Sequence, residues 1–172
     1  MKQLFISSTF ALSVTLLSAC GEKTANITPP SNDPILSTLT ESAQAGAKDV
    51  AVCNSCHNVA LDPPKAPPLF GVSNRYKKAF PDKETFVAAV VDFVAHPSMD
   101  KVIMKRPAQK MGLMPPMPLP KEQLSNIANY LYEYPFPPPC EHWKIAVKNA
   151  EKKGEVDNHI AQDKKKIQRF CQ

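Results

Sequence analysis

The chain of 172 residues holds no apolar run of the roughly twenty residues that a membrane-spanning helix requires. The N-terminal run over residues 4–17 falls short of that length. No stretch alternates apolar and polar residues as a half-buried strand would, so the pattern excludes a β-fold. No internal repeat is present, which argues against a solenoid. There is also no strong excess of one charge: 21 basic residues stand against 16 acidic ones, a net +5. That balance is too mild and too dispersed for nucleic-acid binding, and no nucleic-acid motif occurs. What remains is helical periodicity, so the expected class is all-α, in one domain with additions or two small domains.

Residues 1–19 combine a basic Lys2, the apolar run and a small-residue exit before Cys20, the anatomy of a secretory signal. The exit "LSAC", followed by Gly21, resembles the lipobox of bacterial lipoproteins. That resemblance implies cleavage before Cys20, lipidation of its sulfur and acylation of its amino group. An ordinary signal with a coincidental cysteine is the alternative. Several acyl chains anchor stably where one is marginal, and Gly21 in place of an aspartate favours the outer membrane. Export places the other cysteines, Cys53, Cys56, Cys140 and Cys171, in an oxidising compartment where unpaired thiols become engaged.

Residues 20–33 are polar, rich in Asn, Thr, Ser and Pro, and read as a tether. Residues 34–136 carry the globular pattern and residues 137–172 a lysine-rich extension. Helices are expected over 40–52, over "PDKETFVAAVVDFVAHP" at 81–97, and over "PKEQLSNIANYLYEY" at 120–134, with apolar Leu124, Ile127, Tyr130 and Leu131 on one face. Between them lie two proline-rich loops, "LDPPKAPPLFG" and "KMGLMPPMPLP". The second packs three methionines and four prolines into residues 110–120, a composition that suits neither helix nor strand.

The motif that carries chemistry is "CNSCH", with Cys53, Cys56 and His57. A C-x-x-C-H places two thiols one helical turn apart, able to add to two vinyl groups, with an imidazole directly after them, and reads as covalent haem attachment. A thioredoxin-like dithiol would want a βαβ context, which the sequence lacks. A zinc site would want a second Cys/His pair at ligand spacing, and His96 and His142 do not supply one.

With these residues in view, positions 34–134 resemble a class I c-type cytochrome, in the order helix, C-x-x-C-H, proline loop, middle helix, methionine loop, final helix. The resemblance implies one covalent haem c held by Cys53 and Cys56, with iron bound by His57 and by Met114 of "MPP". Met117 is the competing distal ligand, Met104 and Met111 are read as packing residues, and iron without a sulfur ligand is a further alternative. The resemblance also makes Pro67 of "APPL" the carbonyl that accepts a hydrogen bond from the other nitrogen of His57, and Phe70, Val90, Phe93 and Leu113 pocket lining. Where the family pairs a first-helix glycine and aromatic, this chain has Gly46 and Val50, so Gly46 is expected to cross the last helix at Tyr130. His96 is expected to cap its helix or sit at the surface, and His142 to lie outside the core.

The tail begins and ends with cysteine and is interrupted by Gly154, a helix stop. Two antiparallel helices bring Cys140 and Cys171 together, and a disulfide there closes a loop worth about 3–4 kcal/mol on the chain-entropy model. Trp143, Ile145 and Val147 are the apolar residues of the first helix, and Val156, Ile160, Ile167 and Phe170 of the second. Lys164, Lys165 and Lys166 form a solvated face or a basic docking arm.

The expectation is therefore a lipid-anchored mono-haem cytochrome on the periplasmic side of a bacterial membrane. It would pass single electrons between redox partners and not itself act as an enzyme. Lys101, Lys105, Arg106 and Lys110 would offer a basic rim to an acidic partner. A haem-based gas or redox sensor and a subunit of a larger periplasmic oxidoreductase are the other readings.

Overall fold

A computed structural model describes residues 33–154 and 157–172. The expected signal, Cys20, all of the tether but Asp33, and Val156 lie outside them. Within the described residues there are eight α-helices and no strand, so the chain is all-α. A single 3-10 turn, Pro34–Thr38, leads into α1 (Glu41–Asp49), which tightens into a second 3-10 turn, Val50–Cys53, and runs on as α2 (Asn54–His57). Then come α3 (Leu69–Ala79), α4 (Lys83–Ala95), α5 (Lys105–Met111), α6 (Lys121–Glu133), α7 (Cys140–Lys153) and α8 (Asn158–Phe170).

Local chemistry sets the ends. Thr40 caps α1 by accepting from the Ala43 N–H, Asp82 caps α4 through Thr85, and Asp157 caps α8 through His159 and Ile160. Gly154 ends α7 in the left-handed region at φ 68°, which a side chain would resist.

The core is built where α1 crosses α6. A Cβ at Gly46 would overlap the Asn126 carbonyl and crowd the Ile127 nitrogen, so the two backbones touch there and only glycine permits it. The crossing thus falls one turn before Tyr130, the residue expected to meet Gly46. Tyr130 is fully buried in an aromatic group instead, its ring 4.9 Å from Tyr134 and 5.2 Å from Phe136. Helix α4 closes over α6 through Phe86 and Val90, and α3 contributes Leu69 and Tyr76 to the same core. Polar pins hold the layers in register. The Ser73 hydroxyl donates to the Leu131 carbonyl at 2.7 Å. Glu133 at the end of α6 accepts from the Thr40 N–H and hydroxyl and from Lys83.

Helices α7 and α8 form an antiparallel hairpin with Trp143, Val147 and Ala150 turned inward. Ile145 is 56 % exposed, because a residue two after Trp143 lies round the other side of a helix. Cys140 and Cys171 end up with Cα atoms 5.7 Å apart and their sulfurs joined. Asp163 is buried on α8, bound to Lys166 at 2.7 Å and 3.2 Å from His159.

Candidate functional site

The tightened turn and α2 act as one coil, so Cys53, Cys56 and His57, spaced i, i+3 and i+4, share a side. All three line an apolar cavity of about 240 Å³. Its walls come from α3, α4 and α6, through Val72, Tyr76, Val90, Phe93, Ile127 and Leu131, with α5 and the methionine loop completing it.

His57 is fixed by one contact. Its Nδ1 lies 2.6 Å from the Pro67 carbonyl. A carbonyl can only accept, so Nδ1 carries the proton and Nε2 keeps a free lone pair. Burial holds the ring below its ordinary pKa, with the Pro67 hydrogen bond opposing, so the imidazole is neutral. The expected pairing of His57 with Pro67 is thus present in the geometry. Pro68 next to it has its carbonyl bonded by the Gly71 and Val72 N–H groups at 2.8 and 3.1 Å, which ties the loop to the start of α3.

Cys53 and Cys56 are not joined to each other. Burial pushes the Cys53 thiol up to about 11, with its own backbone N–H pulling down and Cys56 pushing up. A thiol so raised is protonated at neutral pH, which is the reverse of the low-pKa thiolate of a dithiol oxidoreductase.

Four methionines line the cavity: Met104, Met111, Met114 and Met117. Met104 and Met111, expected only to pack, therefore reach the same space. Two of the four differ in how the chain holds them. The Met117 N–H donates to the Val94 carbonyl at 3.0 Å, and its own carbonyl accepts from Leu119 at 2.8 Å, binding it to the end of α4. Met117 also lines a second groove between α4 and α6, which Met114 does not.

Val90, Phe93 and Leu113 line the cavity as expected, and Phe70 does not. Its ring is drawn to the hairpin, 5.8 Å from Trp143 and 5.5 Å from Phe170. His96 is the exposed C-cap of α4, its N–H bonded to the Asp92 carbonyl. His142 lies outside the cavity, with Nδ1 2.9 Å from the Val59 carbonyl. In the basic stretch, Lys101 is paired with Asp92 at 2.8 Å. Lys105, Arg106 and Lys110 remain exposed on α5, whose Pro107, Ala108 and Met111 face the cavity.

Three contributors to the cavity are not among the sequence expectations. Helix α3 lies mostly between the proline loop that ends at Gly71 and the helix expected from residue 81, where no element is expected, although Leu69, Val72, Ser73 and Tyr76 have the 3–4 spacing that marks a buried face. Helix α5 carries Pro107 in its first turn, where proline is tolerated, and its cavity-facing positions follow the same spacing. Lys65, at the cavity edge, had no signal.

Among the described residues, no three His, Cys, Asp or Glu side chains gather as a metal cage, and no helix is long and apolar enough to cross a membrane. No known family profile matches the chain. An uncharacterised protein of Aquifex aeolicus (strain VF5) is 37 % identical over 73 residues, which cover 41 % of this chain and 48 % of the relative. The match thus spans about half of that relative. No solved structure matches.

Proposed function

We propose that this protein is a lipid-anchored c-type cytochrome carrying one haem, which relays single electrons between periplasmic or membrane-bound partners. The observation that carries the reading is the convergence of Cys53, Cys56 and His57 on one apolar cavity, with His57 Nδ1 bound to the Pro67 carbonyl.

The residues fit the group. Two thiols one turn apart match two vinyl attachments, the walls are apolar, and an imidazole nitrogen and methionine sulfurs reach the same space. Bound there, haem would supply a one-electron ferric/ferrous couple. Cys53 and Cys56 would hold it covalently, and His57 would donate Nε2 to the iron. The Pro67 carbonyl keeps the His57 ring in one tautomer and raises its basicity.

Met114 is the proposed distal ligand, since Met117 is bound by its backbone to α4 and also lines a second groove, whereas Met114 lines the cavity and not that groove. Prolines on both sides of Met117 and after Met114 stiffen the loop, so less entropy is lost when a weak thioether bond forms. Lys105, Arg106 and Lys110, exposed on α5, would attract an acidic partner, more weakly as salt rises.

Haem-dependent peroxidase staining on a denaturing gel tests this directly. Wild-type protein should stain, Cys53→Ala with Cys56→Ala should not, and a wild-type band without stain would reject covalent attachment. Carbon monoxide binding by unaltered protein would favour the gas-sensor reading over the relay.

A further inference from the structure

We propose that the C-terminal hairpin is a brace for the loop that positions His57, with His142 and Phe170 as its two positioning residues. The loop between α2 and α3 leaves the cavity wall at His57 and returns at Pro67, whose carbonyl holds the ring. The hairpin grips it at both ends. Near the start, the His142 imidazole on α7 lies 2.9 Å from the Val59 carbonyl, two residues after His57. At the far end, the Phe70 ring stands edge-on to Trp143 of α7 at 5.8 Å and to Phe170 of α8 at 5.5 Å. Phe70 is three residues past Pro67 and lies in the first turn of α3, which the Pro68 carbonyl ties back to the loop.

The first grip comes from α7 alone and the second from α7 and α8 together, so the second requires the two helices to stay paired. The joined sulfurs of Cys140 and Cys171 sit beside them: Cys140 is two residues from His142, and Cys171 follows Phe170. Trp143, 5 % exposed, fills the space between, with Lys166 5.4 Å over its ring. Without the hairpin, Phe70 and Val59 would face solvent, and a loop rich in proline but poor in helix would lose its outer support. The Pro67 carbonyl would then hold His57 less firmly.

The consequence for iron chemistry rests on the cytochrome reading, while the brace itself does not. A His57 that donates to Pro67 is a stronger electron donor. Loosening that bond therefore shifts the reduction potential upward.

The test uses the full chain with His142→Ala and Phe170→Ala, and with His142→Asn and Phe170→Leu as conservative partners. Asparagine can place a donor near the Nδ1 position, and leucine keeps an apolar contact. Amide exchange over residues 58–69 should quicken severalfold in both alanine variants, while α1 and α6 exchange as in wild type. The NMR signal of the His57 Nδ1 proton should weaken, and the potential of haem-loaded protein should rise. His142→Asn and Phe170→Leu should restore most of each change. Unaltered exchange over 58–69 in both alanine variants would overturn the brace. Faster exchange with an unmoved Nδ1 signal and potential would overturn its action on His57. Wild-type protein without haem would reject the cytochrome reading alone, because the exchange and the proton signal still decide the brace.

Discussion

Tyr130 is fully buried, and among the described residues its hydroxyl has no hydrogen-bond partner. Burial pushes its phenol far above the ordinary range, with Tyr134 and Asp33 adding to the effect. Tyr130→Phe removes an unsatisfied polar atom and keeps the ring stack, so stability should hold or rise by up to about 1 kcal/mol in chemical denaturation. A loss of more than that would mean the hydroxyl has a partner. Glu133 is the opposite case. Burial raises its carboxyl, but hydrogen bonds from Lys83 and from the Thr40 hydroxyl and N–H, with the charge of Lys83, outweigh that and leave it below its usual pKa. A depressed carboxyl contributes stability above its unfolded pKa and loses it as pH falls through the folded value. The wild-type melting temperature should therefore drop on acidification below the usual glutamate range, and Glu133→Gln should remove that part of the drop. At neutral pH the substitution should cost about 1–2 kcal/mol. At Met114, replacement by alanine in haem-loaded protein should abolish the weak sulfur-to-iron charge-transfer band and lower the potential, because a thioether favours ferrous iron. Met104→Leu, Met111→Leu and Met117→Leu should keep the band, and its loss in Met117→Leu alone would move the ligand three residues along.

At the scale of elements, the α1–α6 crossing concentrates its tolerance in one position. Gly46→Ala must push the helices apart and should cost about 2–3 kcal/mol, measured by denaturant midpoint, while Gly71→Ala, whose nearest neighbour would be an ordinary 3.9 Å away, should cost far less. Helices α1, α4 and α6 were legible because their apolar residues recur at helical spacing, most clearly in the Leu124, Ile127 and Leu131 stripe on α6. The placement of Gly46 was legible only in part, since spacing shows that a glycine is needed without showing which backbone it meets. Helices α3 and α5 were hidden by their surroundings. Prolines before Leu69 dominate the local pattern, and α5 is seven residues long with a proline inside it, so neither stands out from propensity alone. Phe70 went to the hairpin for a reason no local pattern carries: the rings of Trp143 and Phe170 come from far along the chain. The Pro67 carbonyl was implied only by the resemblance to the cytochrome family, while the C-x-x-C-H and the methionine loop were legible because their spacing is short-range. How the four methionines share one cavity was not, because that depends on how α4, α5 and α6 pack.

For the whole molecule, the hairpin and the proposed anchor extend a helical core in opposite directions along the chain. Peptide mapping without reduction should find Cys140 linked to Cys171, and alkylation of both as free thiols would remove the covalent closure of the hairpin. The extra cross-link should also raise stability, so Cys140→Ser with Cys171→Ser should cost about 2–4 kcal/mol. At the other end, metabolic lipid labelling should mark the wild-type chain and miss Cys20→Ser, and an unlabelled wild type would reject the anchor. Covalent attachment of haem at Cys53, Cys56 and His57 is the proposal on which the relay depends. It is tested most directly by the optical spectrum of the purified protein, oxidised and then reduced, taken again after acid–organic extraction. A Soret band and sharp visible bands on reduction are expected, with the absorbance remaining on the polypeptide after extraction. A colourless protein, or colour that extracts entirely into the solvent, would contradict it.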